Sequence, residues 1–131
     1  VMEVAPEETN AYGIITPGQE NGPLINVRGL VEKPIPENAP SNLAVVGRYI
    51  IEPGVFSKLA EGHKGAGGEI QLTDALASRI GGSAFTGLKF SGQRYDCGSK
   101  IGFIKANMAF ALERPELREE LQQWLKEQFS S

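Results

Sequence analysis

The order of apolar and polar positions along the chain predicts strands first and helices last. Val1 to Val4 alternates apolar and polar residues around β-branched side chains and predicts a strand. Pro6 to Asn10 holds a breaker and charges and predicts a loop, followed by a short strand over Tyr12 to Thr16. Pro17 to Pro23 (PGQENGP) is turn chemistry throughout, and Leu24 to Glu32 (LINVRGLVE) is a longer strand. The two runs and the segment between them predict a β-hairpin with an extended loop. Pro34, Pro36 and Pro40 keep Lys33 to Ser41 out of helix and ladder. Leu43 to Ile51 (LAVVGRYII) is apolar and β-branched, the pattern of a buried central strand.

Beyond it the period changes. Pro53 suits the first turn of a helix over Gly54 to Ala60, and Glu61 to Gly68 (EGHKGAGG) is a flexible loop. Ile70, Thr73, Leu76, Ala77 and Ile80 lie near one face of a helix over Glu69 to Ile80, which Gly81-Gly82 ends. Ala84 to Phe90 predicts a strand. Ser99 is placed to cap a helix running to Glu113, and Pro115 opens a last helix striped by Leu117, Leu121, Trp124, Leu125 and Phe129. The class is α/β, a mixed sheet with two terminal helices and no internal repeat.

The 131 residues suit one domain, 1–131, and 40% hydrophobic composition supports a packed core. Thirteen basic and 16 acidic residues leave a net charge of −3, without the basic footprint that a nucleic-acid partner requires. Cys97 is the only cysteine and His63 the only histidine, which excludes an intrachain disulfide, a multi-cysteine cage and a two-histidine metal site. No apolar run reaches the roughly 20 residues of a membrane-spanning helix. Val1-Met2-Glu3-Val4-Ala5-Pro6 lacks the basic and apolar regions of a signal peptide, so a reduced, cytoplasmic protein without a membrane partner is expected. It starts strand-like without an initiator Met, as a chain would that begins inside a fold.

Four segments could carry chemistry. Val31-Glu32-Lys33-Pro34 sets a carboxylate beside an ammonium where a strand meets a stiffened loop. Glu32 can accept hydrogen bonds from sugar hydroxyls, and Lys33 can pair with a phosphate. The tetrapeptide alone reads more simply as an exposed ion pair of little worth. Asp96 of Tyr95-Asp96-Cys97-Gly98 follows a strand's carboxyl end, where α/β sheets bind ligands. One carboxylate joined by substrate phosphates is a common way to hold Mg²⁺, and capping the following helix or ordering the turn through Gly98 explains Asp96 equally well. Cys97 reads as a small buried residue without an activating base. The Gly62–Gly68 loop matches neither phosphate-binding glycine motif, which leaves His63 solvated on a plain connection. Gly13, inside a strand, suits either a bulge or close approach of a ligand to the backbone.

Together YGIITPG, GLVEKP, APSNLAVVGRYI, GAGGEIQLTDAL and YDCGSKIGFIKA, in that order, resemble the carboxy-terminal half of bacterial UTP–glucose-1-phosphate uridylyltransferases, over Val4 to about Lys126. The resemblance implies part of a Rossmann-like nucleotide-diphospho-sugar transferase fold. It implies the reaction UTP + glucose-1-phosphate → UDP-glucose + pyrophosphate with Mg²⁺, in which the enzyme mainly positions groups and neutralises charge. It assigns Gly13, Glu32, Val46 and Gly47 to the sugar, Lys33 to the phosphates and Asp96 to the metal, making Lys33 and Asp96 the catalytic pair. The family's G-x-G-x-R…P-K phosphate loop, a second metal-binding aspartate and the uracil pocket belong to the amino-terminal half, which these residues do not contain. The expectation is therefore a sugar-binding half that takes glucose-1-phosphate or UDP-glucose, holds Mg²⁺ weakly or not at all, and is inactive alone. An apolar strand and a sticky last helix would make it a homo-oligomer, most simply a dimer. The alternative is a non-catalytic interaction or assembly module derived from that fold.

Overall fold

In the computed structural model, which describes residues 1–82 and 84–129, the chain forms two compact units, Val1–Ser91 and Gly92–Ser131.

The first unit is built on a five-stranded sheet in the order β1-β4-β2-β3-β5. Its strands are β1 (Met2–Glu3), β2 (Gly13–Asn21), β3 (Leu24–Glu32), β4 (Leu43–Ala44) and β5 (Thr86–Leu88). Helices α1 (Gly54–Ala60) and α2 (Leu72–Ala77) belong to the same unit. The α/β class holds, but every pairing among the described residues is antiparallel, where a mixed sheet was expected. Ile15, Ile25, Val27, Leu30, Leu43, Val55, Ala75 and Leu76 form one core, so the helices are anchored by the inward residues of the strands.

Strand β3 shows how the core is set. Ile25 and Val27 are buried two residues apart, but the next buried residue is Leu30, three further on. The pairing explains the slip. Thr16 faces Gly29 while Pro17 faces Val27, so Arg28 is an extra residue on β3; Glu20 then faces Ile25, which restores the register. A bulge of this kind turns every later side chain to the opposite face. Glu32, two residues beyond Leu30, thereby shares the face that packs against α2.

Several expectations change. Strand β2 runs through Pro17 to Asn21 and the hairpin closes at Gly22-Pro23, with Gly22 at φ 59°, so the extended loop is a tight turn. Pro17 is tolerated because it stands at the irregularity. Pro6–Ala11 and Pro36–Asn38 form 3₁₀ turns, a geometry that prolines at the first positions permit. The predicted strand over Leu43 to Ile51 shrinks to Leu43–Ala44. Gly47 turns the chain at φ 77°, Arg48 N–H donates back to Val46 O at 3.0 Å, and Ile50 is wholly exposed. The helix expected over Glu69 to Ile80 is α2 alone, shortened at both ends, since Gly65 N–H donates to Glu69 O at 2.8 Å and holds the approach in a loop.

The second unit holds α3 (Lys100–Glu113) and α4 (Pro115–Phe129). Ser99 caps α3 as expected, its Oγ accepting from Gly102 N–H at 3.0 Å. Arg118 Nε donates to Leu112 O at 2.6 Å and so satisfies one of the open carbonyls at the end of α3. Tyr95 meets Phe110 edge to face, with ring centroids 6.0 Å apart. Leu121 and Leu125 of the α4 stripe are half-buried, whereas Leu117, Trp124 and Phe129 are exposed. Cys97, expected to be buried, is exposed.

Candidate functional site

The end of the β2–β3 ladder gathers most of the expected residues. Lys33 N–H donates to Tyr12 O at 2.9 Å, directly across the ladder. The antiparallel alternation then makes Gly13 and Glu32 the closer, non-hydrogen-bonded kind of pair. On the other edge of β2, Gly13 O accepts Val45 N–H at 2.8 Å, which brings the half-buried Val46 and the exposed turn at Gly47 alongside. Gly13, Glu32, Lys33, Val46 and Gly47 are thus neighbours at one end of the sheet.

Glu32 is the centre of this group. Its side chain is only 12% exposed, and Thr73 Oγ1 of α2 donates to its Oε2 at 2.5 Å. The other carboxylate oxygen, Oε1, lies 3.8 Å from Lys33 Nζ. That separation is too long for a hydrogen bond, and Lys33 is 53% exposed, so the pairing is loose and the ammonium can be drawn to another anion at little cost. The absence of a side chain at Gly13 makes room: a Cβ there would lie 3.2 Å from Glu32 Oε2 and 3.3 Å from Thr73 Oγ1.

Lys33 carries backbone strain. It is the one non-glycine residue with positive φ among the described residues, at 45°, and the following Pro34 disfavours right-handed helical backbone at this position. The strained turn sets the ammonium just past the strand's end, next to the carboxylate, instead of on the opposite face as strict alternation requires. Tyr49 lies within electrostatic reach of Glu32. Burial, and secondarily the Glu32 charge, raise its phenol above the ordinary value of 10.0.

Two members of this group were not expected from the sequence. Thr73 reads there as one more residue on a helix face, and Tyr49 as part of a strand; only their proximity to Glu32 in space distinguishes them.

Asp96 stands in the second unit, on an exposed turn. Its Oδ1 accepts Gly98 N–H at 3.0 Å, and its backbone carbonyl accepts the Ser99 hydroxyl at 3.2 Å. The ordering role open to it from sequence is therefore filled, while Oδ2 remains for another partner. Among the described residues no group of three or more His, Cys, Asp or Glu side chains could hold a metal ion by itself. A lone carboxylate still fits the Mg²⁺ mode in which phosphates and water supply the other ligands. His63 is solvated as expected, its Nδ1 3.4 Å from Glu61 Oε2. No described helix is long and apolar enough to cross a membrane.

The family model for nucleotidyl transferases matches residues 1–113. A UTP–glucose-1-phosphate uridylyltransferase of Komagataeibacter xylinus is 47% identical over 125 residues, 95% of this chain and 42% of that protein. One of Pseudomonas aeruginosa is 52% identical over 106 residues, 81% of this chain and 38% of that protein. Among solved structures, a UDP-glucose pyrophosphorylase complexed with UDP-glucose superposes with a TM-score of 0.80 at 43% identity, covering 86% of this chain and 43% of that one. A UTP-bound enzyme of the same kind from Acinetobacter baumannii gives 0.79 at 36% identity, over 95% and 42%. The chain spans about two fifths of the length of the curated relatives it matches. With residues 1–113 matched by the family model and identities of 47% and 52% to two uridylyltransferases, the chain belongs to the nucleotidyl transferase family.

Proposed function

We propose that this chain is the sugar-phosphate-binding, carboxy-terminal part of a UTP–glucose-1-phosphate uridylyltransferase. The observation that carries the reading is the cradle at the end of β2–β3. There a nearly buried carboxylate, a loosely held ammonium and an open glycine backbone stand side by side. Glu32 accepts hydrogen bonds from glucose hydroxyls, Gly13 and the Val46-Gly47 turn border the sugar, and Lys33 leaves Glu32 for the phosphate. Asp96, in the second unit, is the residue whose carboxylate would take Mg²⁺. The ion, when bound, neutralises phosphate charge during in-line transfer.

Nearly all catalysis of phosphoryl transfer is positioning and charge neutralisation. On this reading the residues described here contribute the binding of the sugar phosphate. Titration calorimetry of the purified chain with glucose-1-phosphate and with UDP-glucose, each with and without Mg²⁺, tests the reading. Saturable binding that Lys33→Ala abolishes is expected, and the absence of heat with every ligand refutes it.

A second reading, a cytoplasmic assembly module that associates with its own kind, is favoured by one observation. Ile101, Phe103, Ile104 and Phe110 of α3, with Trp124 and Phe129 of α4, are all exposed. Sedimentation at micromolar concentration separates it: association that survives Trp124→Glu removes the basis for that surface.

A further inference from the structure

The bulge in β3 and the sequence of α2 together bring Thr73 onto Glu32. Without the extra residue Arg28, Glu32 would face away from α2. With it, Glu32 follows Leu30 on the face where Ala75 and Leu76 of α2 are buried in the same core as Leu30. That packing fixes α2, and Thr73 therefore presents its hydroxyl from a rigid element. The 2.5 Å bond to Oε2 joins residues 41 apart in the chain. A hydroxyl that donates to a carboxylate makes a charge-assisted bond, stronger than a neutral one.

The geometry points to Thr73 as the positioning residue of the sugar site: it holds Glu32 in its binding orientation before the ligand arrives. This deepens the sugar-phosphate reading above and rests on it. A free glutamate side chain keeps three flexible torsions, and ordering it on binding lowers affinity. Here that ordering is done in advance by one hydroxyl. Thr73 occupies one acceptor position on Oε2 and leaves those on Oε1 for sugar hydroxyls. Gly13 is part of the same device, because a side chain there would crowd both partners of the bond. Lys33, the residue proposed to meet the phosphate, is tied to Glu32 only by the loose 3.8 Å pairing, so the sugar and phosphate contributions are separable.

The test uses this chain with two probes, glucose-1-phosphate and inorganic phosphate. Thr73→Val weakens glucose-1-phosphate binding roughly three- to tenfold, as expected for one side chain that must now be ordered on binding, and leaves inorganic phosphate binding unchanged. Thr73→Ser, which keeps the hydroxyl, restores the glucose-1-phosphate affinity. In a Glu32→Ala background, which removes the acceptor, Thr73→Val has no further effect beyond that of Glu32→Ala. Equal losses for both probes would mean general damage to the fold and would overturn the positioning role, as would additive effects in the double variant. Unchanged affinity in Thr73→Val overturns the role while the sugar-phosphate reading stands. No binding of glucose-1-phosphate to the unsubstituted chain overturns both.

Discussion

Gly102 is the residue on which the Asp96 turn rests, and replacing it with alanine sets two effects against each other. In a helix interior alanine is better than glycine by about 0.8–1 kcal/mol. Gly102 lies in the first turn of α3, however, beneath the turn that carries Asp96. A Cβ there would collide with the Asp96 carbonyl oxygen, and it would sit 2.6 Å from Ser99 Oγ and 2.9 Å from the Asp96 carbonyl carbon. The first and third of these atoms are backbone, so the clash cannot be relieved by rotating a side chain. The turn must lift instead. Lifting it loosens the Ser99 N–H and hydroxyl bonds to Asp96 O, at 3.3 and 3.2 Å, and moves the Ser99 cap away from the residue 102 N–H. Overpacking of this kind costs about 1–3 kcal/mol, and the cap adds about 1 kcal/mol. These losses outweigh the helix preference, and Gly102→Ala is expected to be less stable by about 1–3 kcal/mol. Ser99→Ala is the control: it loses the cap without the clash and costs about 1 kcal/mol. Urea unfolding followed by the fluorescence of Trp124, the only tryptophan, reads the unit concerned. A Gly102→Ala chain as stable as the parent would show that helix preference wins and that the turn is not held as described.

Three further outcomes follow from the site geometry. Lys33→Gly removes the cost of a left-handed non-glycine residue, about 1–2 kcal/mol, against a glycine entropy penalty of about 0.5–1 kcal/mol; it should therefore raise stability in urea slightly while abolishing phosphate binding, and a clearly destabilised variant would refute strain at φ 45°. Gly13→Ala crowds Glu32 Oε2 and Thr73 Oγ1, so calorimetry should show weaker glucose-1-phosphate binding, and parental affinity would mean that the cradle relaxes freely. Tyr49 keeps its proton in the folded chain above pH 10, where the unfolded chain loses it, so its contribution makes stability fall as pH rises past the ordinary value of 10.0. Ultraviolet titration of the parent against Tyr49→Phe isolates this phenol, and Glu32→Gln should bring its midpoint down only part of the way, because burial is the larger cause; an unmoved midpoint would place Tyr49 out of reach of Glu32.

What the sequence made legible, and what it hid, divides along a physical line. Strand β3 and helices α1, α3 and α4 have the predicted bounds, because each is decided by nearby residues: alternation and glycine turns, a proline at the start, a serine cap. The segment from Val46 to Ile51 has a strand's composition but forms no strand here, since composition names a preference and pairing needs a neighbour across the sheet. The site was half legible. Glu32, Lys33 and Gly13 were picked out from the chain's own segments and Val46 and Gly47 by the family resemblance, and the fold places the five at one end of the sheet. That Glu32 would face α2 could not be read, because it depends on one extra residue in a bulge four positions earlier and on a partner in another strand. Thr73 was hidden for the same reason, its bond spanning 41 residues. The local pattern thus selects the groups that carry charge, whereas the contacts that orient them are long-range. Those orienting contacts decide whether Glu32 and Lys33 act as an ordinary surface pair or as a site. In this fold a bulge turns the carboxylate inward, Gly13 leaves it room and Thr73 donates a hydrogen bond to it, the arrangement that the proposed sugar-phosphate reading requires.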